Sequence, residues 1–166
     1  MKVYHARTNR NLQQRAGKRG IRDYGGWGDD PHLTIPGEPV AKGRPRVTNR
    51  GITYTPAKTK NYETLVQELY WAKYRGKDML QGQLTMTIDA YFQIPKSASK
   101  KKREAMLRGE ERPTKRPDLD NCIKSIADAL NGIAYQDDSY IVEVIARKWW
   151  AEQPLVEITI IELGEG

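Results

Sequence analysis

Asp118 and Asp120 stand one residue apart in the run RPDLDNCIKSIADAL (116–130), and Asp137 and Asp138 adjoin each other in the QDDS that follows. Carboxylates are hard oxygen donors, suited to Mg²⁺ or Mn²⁺, which keep part of their water shell and share phosphate oxygens of a substrate. Lys124 follows Asp120 by one helical turn and adds a cation on the same flank. The chemistry such a set supports is metal-assisted hydrolysis of a phosphodiester. A plainer account competes with it. Asp118 would be an N-cap, Asp120 would be favoured by the helix dipole, and Lys124 would pair with Asp120 for about 0.2–0.5 kcal/mol. Capping leaves further lone pairs, so both accounts can hold at Asp118. The adjacent acids 137 and 138 repel each other, and a purely structural loop gains little from having both. If that loop folds back to the helix start, three or four carboxylates converge. A second acidic pair pointing away into bulk solvent in every subunit, remote from residues 118 and 120, would remove the basis of this reading.

Other chemistries fit less well. An EF-hand would need a third ligand and a glycine where Cys122 and Ile123 stand. Zinc is disfavoured because the only histidines are His5 and His32, and a lone Cys122 supplies neither a cysteine zinc site nor a disulfide framework. P-loop, dinucleotide and nucleophile-elbow motifs are missing, so no small-molecule cofactor is expected.

These residues must be positioned by a scaffold. Helical spacing over Thr59–Tyr74 puts Tyr62, Leu65, Val66, Leu69 and Tyr70 on one face, with Gly76 as a stop. QLTMTIDAYFQIP alternates with period two, Leu84, Met86, Ile88, Ala90 and Phe92 facing one way, and predicts a half-buried strand. Residues 97–111 read as a short polar helix ending before Pro113. The acid-bearing helix runs to about Asn131, with Ile123, Ile126, Ala127 and Leu130 as its apolar stripe. Residues 32–56 suggest a strand, a turn and a second strand. YIVEVIARKWW and PLVEITIIEL suggest two more. The expected order β-β-α-β-α-α-β-β favours a single α+β domain with a mixed or mostly antiparallel sheet. It would occupy 32–166, after a flexible basic arm over 1–31 that is poor in aliphatics, with Tyr24 and Trp27 as local anchors.

The 166 residues carry a net charge of +7, which attracts polyanions. Hydrophobic residues make up 38%, and no run is long enough to span a bilayer, so no membrane is expected. A reducing, cytoplasmic setting fits. KGRPR places Lys42, Arg44 and Arg46 on one side if extended. The segments 96–103 and 112–116 bring Lys101, Lys102, Lys115 and Arg116, among others, just ahead of the acids. Phosphate contact and simple solvation both account for such runs. Phe92, Trp149 and Trp150 read as core or interface more readily than as base-stacking platforms.

With these motifs in order, the chain resembles the RusA-type Holliday junction resolvases, endodeoxyribonucleases common in phages and prophages. The similarity runs from about Leu33 to Leu163 and is strongest over RPDLDNCIKSIADALNGIAYQDDSYI; PVAKGRPRVT and YTPAKTKNYE are similar to the family's phage branch. The resemblance implies a homodimer that binds four-way DNA junctions and makes paired nicks with Mg²⁺ or Mn²⁺. It implies Asp118, Asp120 and Asp138 as the essential carboxylates, Lys124 as the essential lysine, and Asp137 as a supporting residue. Two rivals stand beside it. One is a nonenzymatic DNA-binding accessory whose acids only cap a helix, the other a nuclease for different branched DNA.

Overall fold

The computed structural model describes residues 30–164. The arm expected over 1–31, with Tyr24 and Trp27, lies almost wholly outside the described residues.

Three strands open the described chain: β1 (His32–Pro36), β2 (Arg46–Val47) and β3 (Thr53–Tyr54). Then come α1 (Ala57–Tyr74), β4 (Gln83–Gln93), α2 (Lys100–Leu107) and α3 (Leu119–Leu130). A 3-10 turn (Asp138–Tyr140) leads into β5 (Ile141–Ala151), and β6 (Leu155–Leu163) closes the domain. The expected second strand is instead a separate two-stranded hairpin, β2–β3. Gly51, at φ +77°, lets the chain turn back between its short strands. The polar helix is shorter than expected, because Ser99 caps it by accepting from the Lys102 N–H at 3.3 Å. Gly109 in the left-handed region ends it.

The main sheet has the order β1-β6-β4-β5. β6 runs antiparallel to β1 and β4, whereas β4 and β5 are parallel, so the sheet is mixed and the fold α+β. Parallel neighbours need a crossover, and α2 and α3 lie within it. Alternation along β4 sends Leu84, Met86, Ile88, Ala90 and Phe92 to one face, where each is 2% exposed or less. α1 offers Tyr62, Val66 and Tyr70 to the core at four-residue spacing. α3 offers Cys122, Ser125, Ile126, Ala127, Ala129 and Leu130. The buried stripe on α3 is therefore wider than expected and rotated toward Cys122 and Ser125, leaving Ile123 half-buried. A fully buried Ile or Leu contributes about 1.5–3 kcal/mol, several times a surface ion pair. Core burial thus sets where α3 sits, and its charged flank follows passively.

The opposite sheet face is partly polar. The Trp149 indole N–H donates to Asp89 Oδ1 at 2.7 Å, and the Arg112 guanidinium lies 3.3 Å over the Trp149 ring. Phe92 and Trp150 are core residues, at 2% and 9% exposure. Trp149 is a platform for an arginine of the protein itself.

Candidate metal and nucleic-acid site

The entrance of α3 is formed by a strap and a strand. The Lys148 ammonium on β5 donates to the backbone oxygens of Lys115 and Pro117, the latter at 3.0 Å, and so pins the segment that delivers Asp118. On the other side the Lys42 N–H donates to Asn121 O at 2.8 Å, tying the segment before β2 to the first turn of α3. Asp118 occupies the N-cap position with extended backbone, φ −68° and ψ 142°, yet its side chain makes no capping hydrogen bond. Its carboxylate is therefore not consumed by the helix start, contrary to the capping account. Asp118 and Asp120 are both exposed. Both act electrostatically on the Cys122 thiol one turn below.

Burial pushes the Cys122 thiol up to about 11; Lys148 pulls against it, while Asp120 and Asp118 push it further. A folded state that prefers the protonated thiol gains stability that is complete below the ordinary thiol pKa. That gain fades as pH rises from about 9 toward about 11. Cys122 is 2% exposed, so it should resist iodoacetamide at pH 8 in the native protein and react at once in denaturant. Rapid native labelling would show that the packing under the α3 entrance opens readily.

Lys124 does not pair with Asp120, as the plainer account expects. Its ammonium lies 3.4 Å from Asp128, one turn further along, and remains 62% exposed. Asp128 also holds Lys42 at 3.0 Å, and Lys42 in turn pairs closely with Glu63 of α1. Burial works against the Lys42 charge, but Glu63 and Asp128 outweigh it and raise its pKa. Of the three basic residues in KGRPR, Lys42 is thus turned inward onto carboxylates, whereas Arg44 and Arg46 are exposed. Lys101, Lys115 and Arg116 are exposed as well, and Lys102 reaches Glu111 at 3.4 Å.

The second acidic pair is elsewhere. Asp137 caps the 3-10 turn, accepting from the Ser139 N–H at 2.9 Å, and the Ser139 side chain and then its backbone N–H hold the Asp137 pKa below the ordinary carboxylate range. Asp138 is half-buried and acts on the Tyr135 hydroxyl, which donates to Ala127 O at 2.9 Å. That places Asp138 beside the last turns of α3. Ile141, which follows the second pair, and Lys148, which clamps Pro117 just ahead of the first, are seven positions apart on β5, about 23 Å at some 3.3 Å per residue. The loop therefore does not return to the helix start within one chain. Among the described residues no three His, Cys, Asp or Glu side chains gather closely enough to hold a metal ion. What one chain offers a hard cation is the Asp118–Asp120 pair, and two carboxylates suit an ion that keeps several waters and takes substrate oxygens.

Four-residue spacing puts Asp128 on the flank of Asp120 and Lys124, whereas nothing in the sequence marks Glu63. The Lys42–Glu63 pair joins distant segments and has no local signature. Lys148 likewise gives no sign in a β-run that it clamps Pro117. Among the described residues no helix is long and apolar enough to cross a membrane.

Comparison with known proteins bears directly on this arrangement. The family model described as "Endodeoxyribonuclease RusA" matches residues 36–161. That span runs from the end of β1 into β6 and includes all four acidic positions. An uncharacterized protein of Bacillus subtilis (strain 168), YqaN, is 41% identical over 137 residues, covering 80% of this chain and 96% of the relative.

Proposed function

The chain belongs to the RusA endodeoxyribonuclease family, and on that premise we propose that it is a metal-dependent nuclease resolving four-way DNA junctions by paired nicks. The observation that carries the reading is the entrance of α3. Two exposed carboxylates, one at the N-cap and uncommitted to capping, stand there among exposed basic side chains with Lys124 one turn away. A core helix needs no such arrangement. Asp118 and Asp120 would hold Mg²⁺ or Mn²⁺. When bound, that ion supplies polarisation of the scissile phosphate and a water acidified for attack.

The protein's own groups do the rest. Lys124, loosely held by Asp128 and largely exposed, reaches outward to a non-bridging phosphate oxygen and stabilises charge that grows in the transition state. Asp128 keeps Lys124 and Lys42 on the flank of α3 and acts as a positioning residue. Arg44, Arg46, Lys101, Lys102, Lys115 and Arg116 contact backbone phosphates, which orients the junction without reading bases. Residues 32–166 form the nuclease domain in this reading, with 1–31 as an added basic arm.

Asp138 enters through a second copy of the chain. β5 is the longer of the two edge strands of the sheet, eleven residues, with Val142 57% and Val144 41% exposed. A long edge with exposed apolar side chains invites strand pairing. Two protomers joined antiparallel along β5, about a two-fold axis, set the beginning of one β5 beside the end of the other. The Asp138 end of one protomer then lies by the partner's α3 entrance, where Asp118 and Asp120 of the partner subunit stand. Three carboxylates meet in trans that one chain keeps apart, and the two-fold axis yields two sites for two strands.

The test is a synthetic four-way junction incubated with protein, with and without Mg²⁺, and resolved on a denaturing gel. Paired, metal-dependent products are expected. A mobility shift on a native gel with no cleavage would instead identify a nonenzymatic binder. Faster cutting of flaps or forks would move the substrate to other branched DNA.

A further inference from the structure

We propose that the β2–β3 hairpin is a wedge that enters the branch point of a DNA junction and stacks against the bases exposed there. The inference rests on the nuclease reading above and adds an element that recognises branching itself. The hairpin is exposed at every residue from Arg44 to Tyr54. Val47 at 65% and Ile52 at 62% exposure flank the tip, and Tyr54, at 45%, stands at the stem end of the ladder. Arg46 pairs across the ladder with Tyr54, and Val47 with Thr53. Alternation therefore gives both faces of the ribbon an apolar side chain, Ile52 and Tyr54 on one and Val47 on the other.

Nothing in folding accounts for this composition. A two-stranded ribbon alone is marginally stable, and these side chains remain largely open to solvent. The ribbon is nonetheless firmly built. The Thr48 N–H donates to Ile52 O and the Gly51 N–H to Thr48 O, both at 2.9 Å, closing the tip. At the base the Gly43 N–H donates to the Thr59 hydroxyl at 3.0 Å. A Cβ at Gly43 would meet that hydroxyl at 2.8 Å, so only glycine lets the strap lie this close to α1.

Charge identifies the occupant. Arg44, Arg46 and Arg50 rise with the apolar groups, and Lys58 and Lys60 lie just beyond the base, all exposed. No acidic residue lies between Lys42 and Lys60. An apolar protein partner would leave these cations unanswered, whereas DNA offers phosphates to the arginines and base faces to the apolar side chains. The groove at the base runs from Val40 and Arg44 to Pro117, next to Asp118. A hairpin lodged at the branch would thus hold a strand against the α3 entrance. Stacked duplex presents no open base faces, and so the wedge favours junctions.

The experiment compares the full-length protein with a Val47→Ser, Ile52→Ser, Tyr54→Ser variant, without divalent metal. The probes are a four-way junction carrying 2-aminopurine at the branch and a duplex of equal length. The wild type should prefer the junction and raise 2-aminopurine fluorescence as the base unstacks. The triple variant should lose about tenfold of its junction-over-duplex preference, with the fluorescence rise abolished. Tyr54→Phe should keep both readouts, since stacking needs the ring alone. Retention of preference and fluorescence by the triple variant overturns the wedge. If that happens while the wild type still nicks junctions in Mg²⁺, the nuclease reading stands without it. A wild type that neither prefers nor cuts junctions sinks both. A change in oligomeric state of the triple variant by sedimentation would make the hairpin a subunit contact and also overturn the proposal.

Discussion

Asp120→Asn is expected to lower the rate of junction nicking by about 10³-fold while junction affinity stays level or improves. The size follows from the role assigned to the carboxylate. A metal-bound site contributes several kcal/mol to charge stabilisation in the transition state, and each 1.36 kcal/mol is about tenfold in rate. The direction of the affinity change follows from charge. Asp120 is exposed among cations that face phosphate, so removing its negative charge relieves repulsion of the backbone. Folding should be little affected, because the side chain is exposed and Lys124 pairs with Asp128 instead. Single-turnover nicking in Mg²⁺, with native-gel affinity alongside, gives both values. A near wild-type rate would return Asp120 to a purely structural role and remove the ligand assignment. Asp128→Asn offers an internal scale. As a positioning residue it should cost only about 10–100-fold.

What could be read along the chain was whatever repeats locally. Period-two burial in Leu84–Phe92 and the four-residue spacing of Tyr62, Val66 and Tyr70 report faces that each element must bury, and the structure buries both. The α3 flank carrying Asp120, Lys124 and Asp128 was legible for the same reason, since helical geometry is local. Misreadings came where tertiary contacts decide. A two-residue strand such as Arg46–Val47 has too few positions to show a period. Alternation groups Lys42 with Arg44 and Arg46, but Glu63 and Asp128, one on each of two helices, draw it inward. The direction of the QDDS loop was not readable at all. It depends on Tyr135, whose hydroxyl fastens the loop to Ala127 at the far end of α3.

The trans arrangement makes the strongest demand on the molecule, and mixing two inactive variants meets it directly. Asp120→Asn and Asp138→Asn homodimers should each be nearly inert. In a dimer holding one chain of each, one site pairs the altered 120 position with the altered 138 position. The other site pairs Asp118 and Asp120 of the second chain with Asp138 of the first, all intact. With free exchange about half the dimers are mixed and half their sites are whole, so about a quarter of wild-type sites should return. Because each mixed dimer owns a single working site, its product should be a nicked junction and not a resolved pair of duplexes. Single-strand nicks without paired cuts therefore distinguish restored chemistry from contaminating wild type. If all three carboxylates served one site within one chain, mixing would restore nothing, since each chain is already broken. Restoration should also fail when Val144→Lys is added to both chains, because a lysine there sets like charges at the β5 edge on either side of the two-fold axis. Recovery that survives that change would place the subunit contact elsewhere on the sheet.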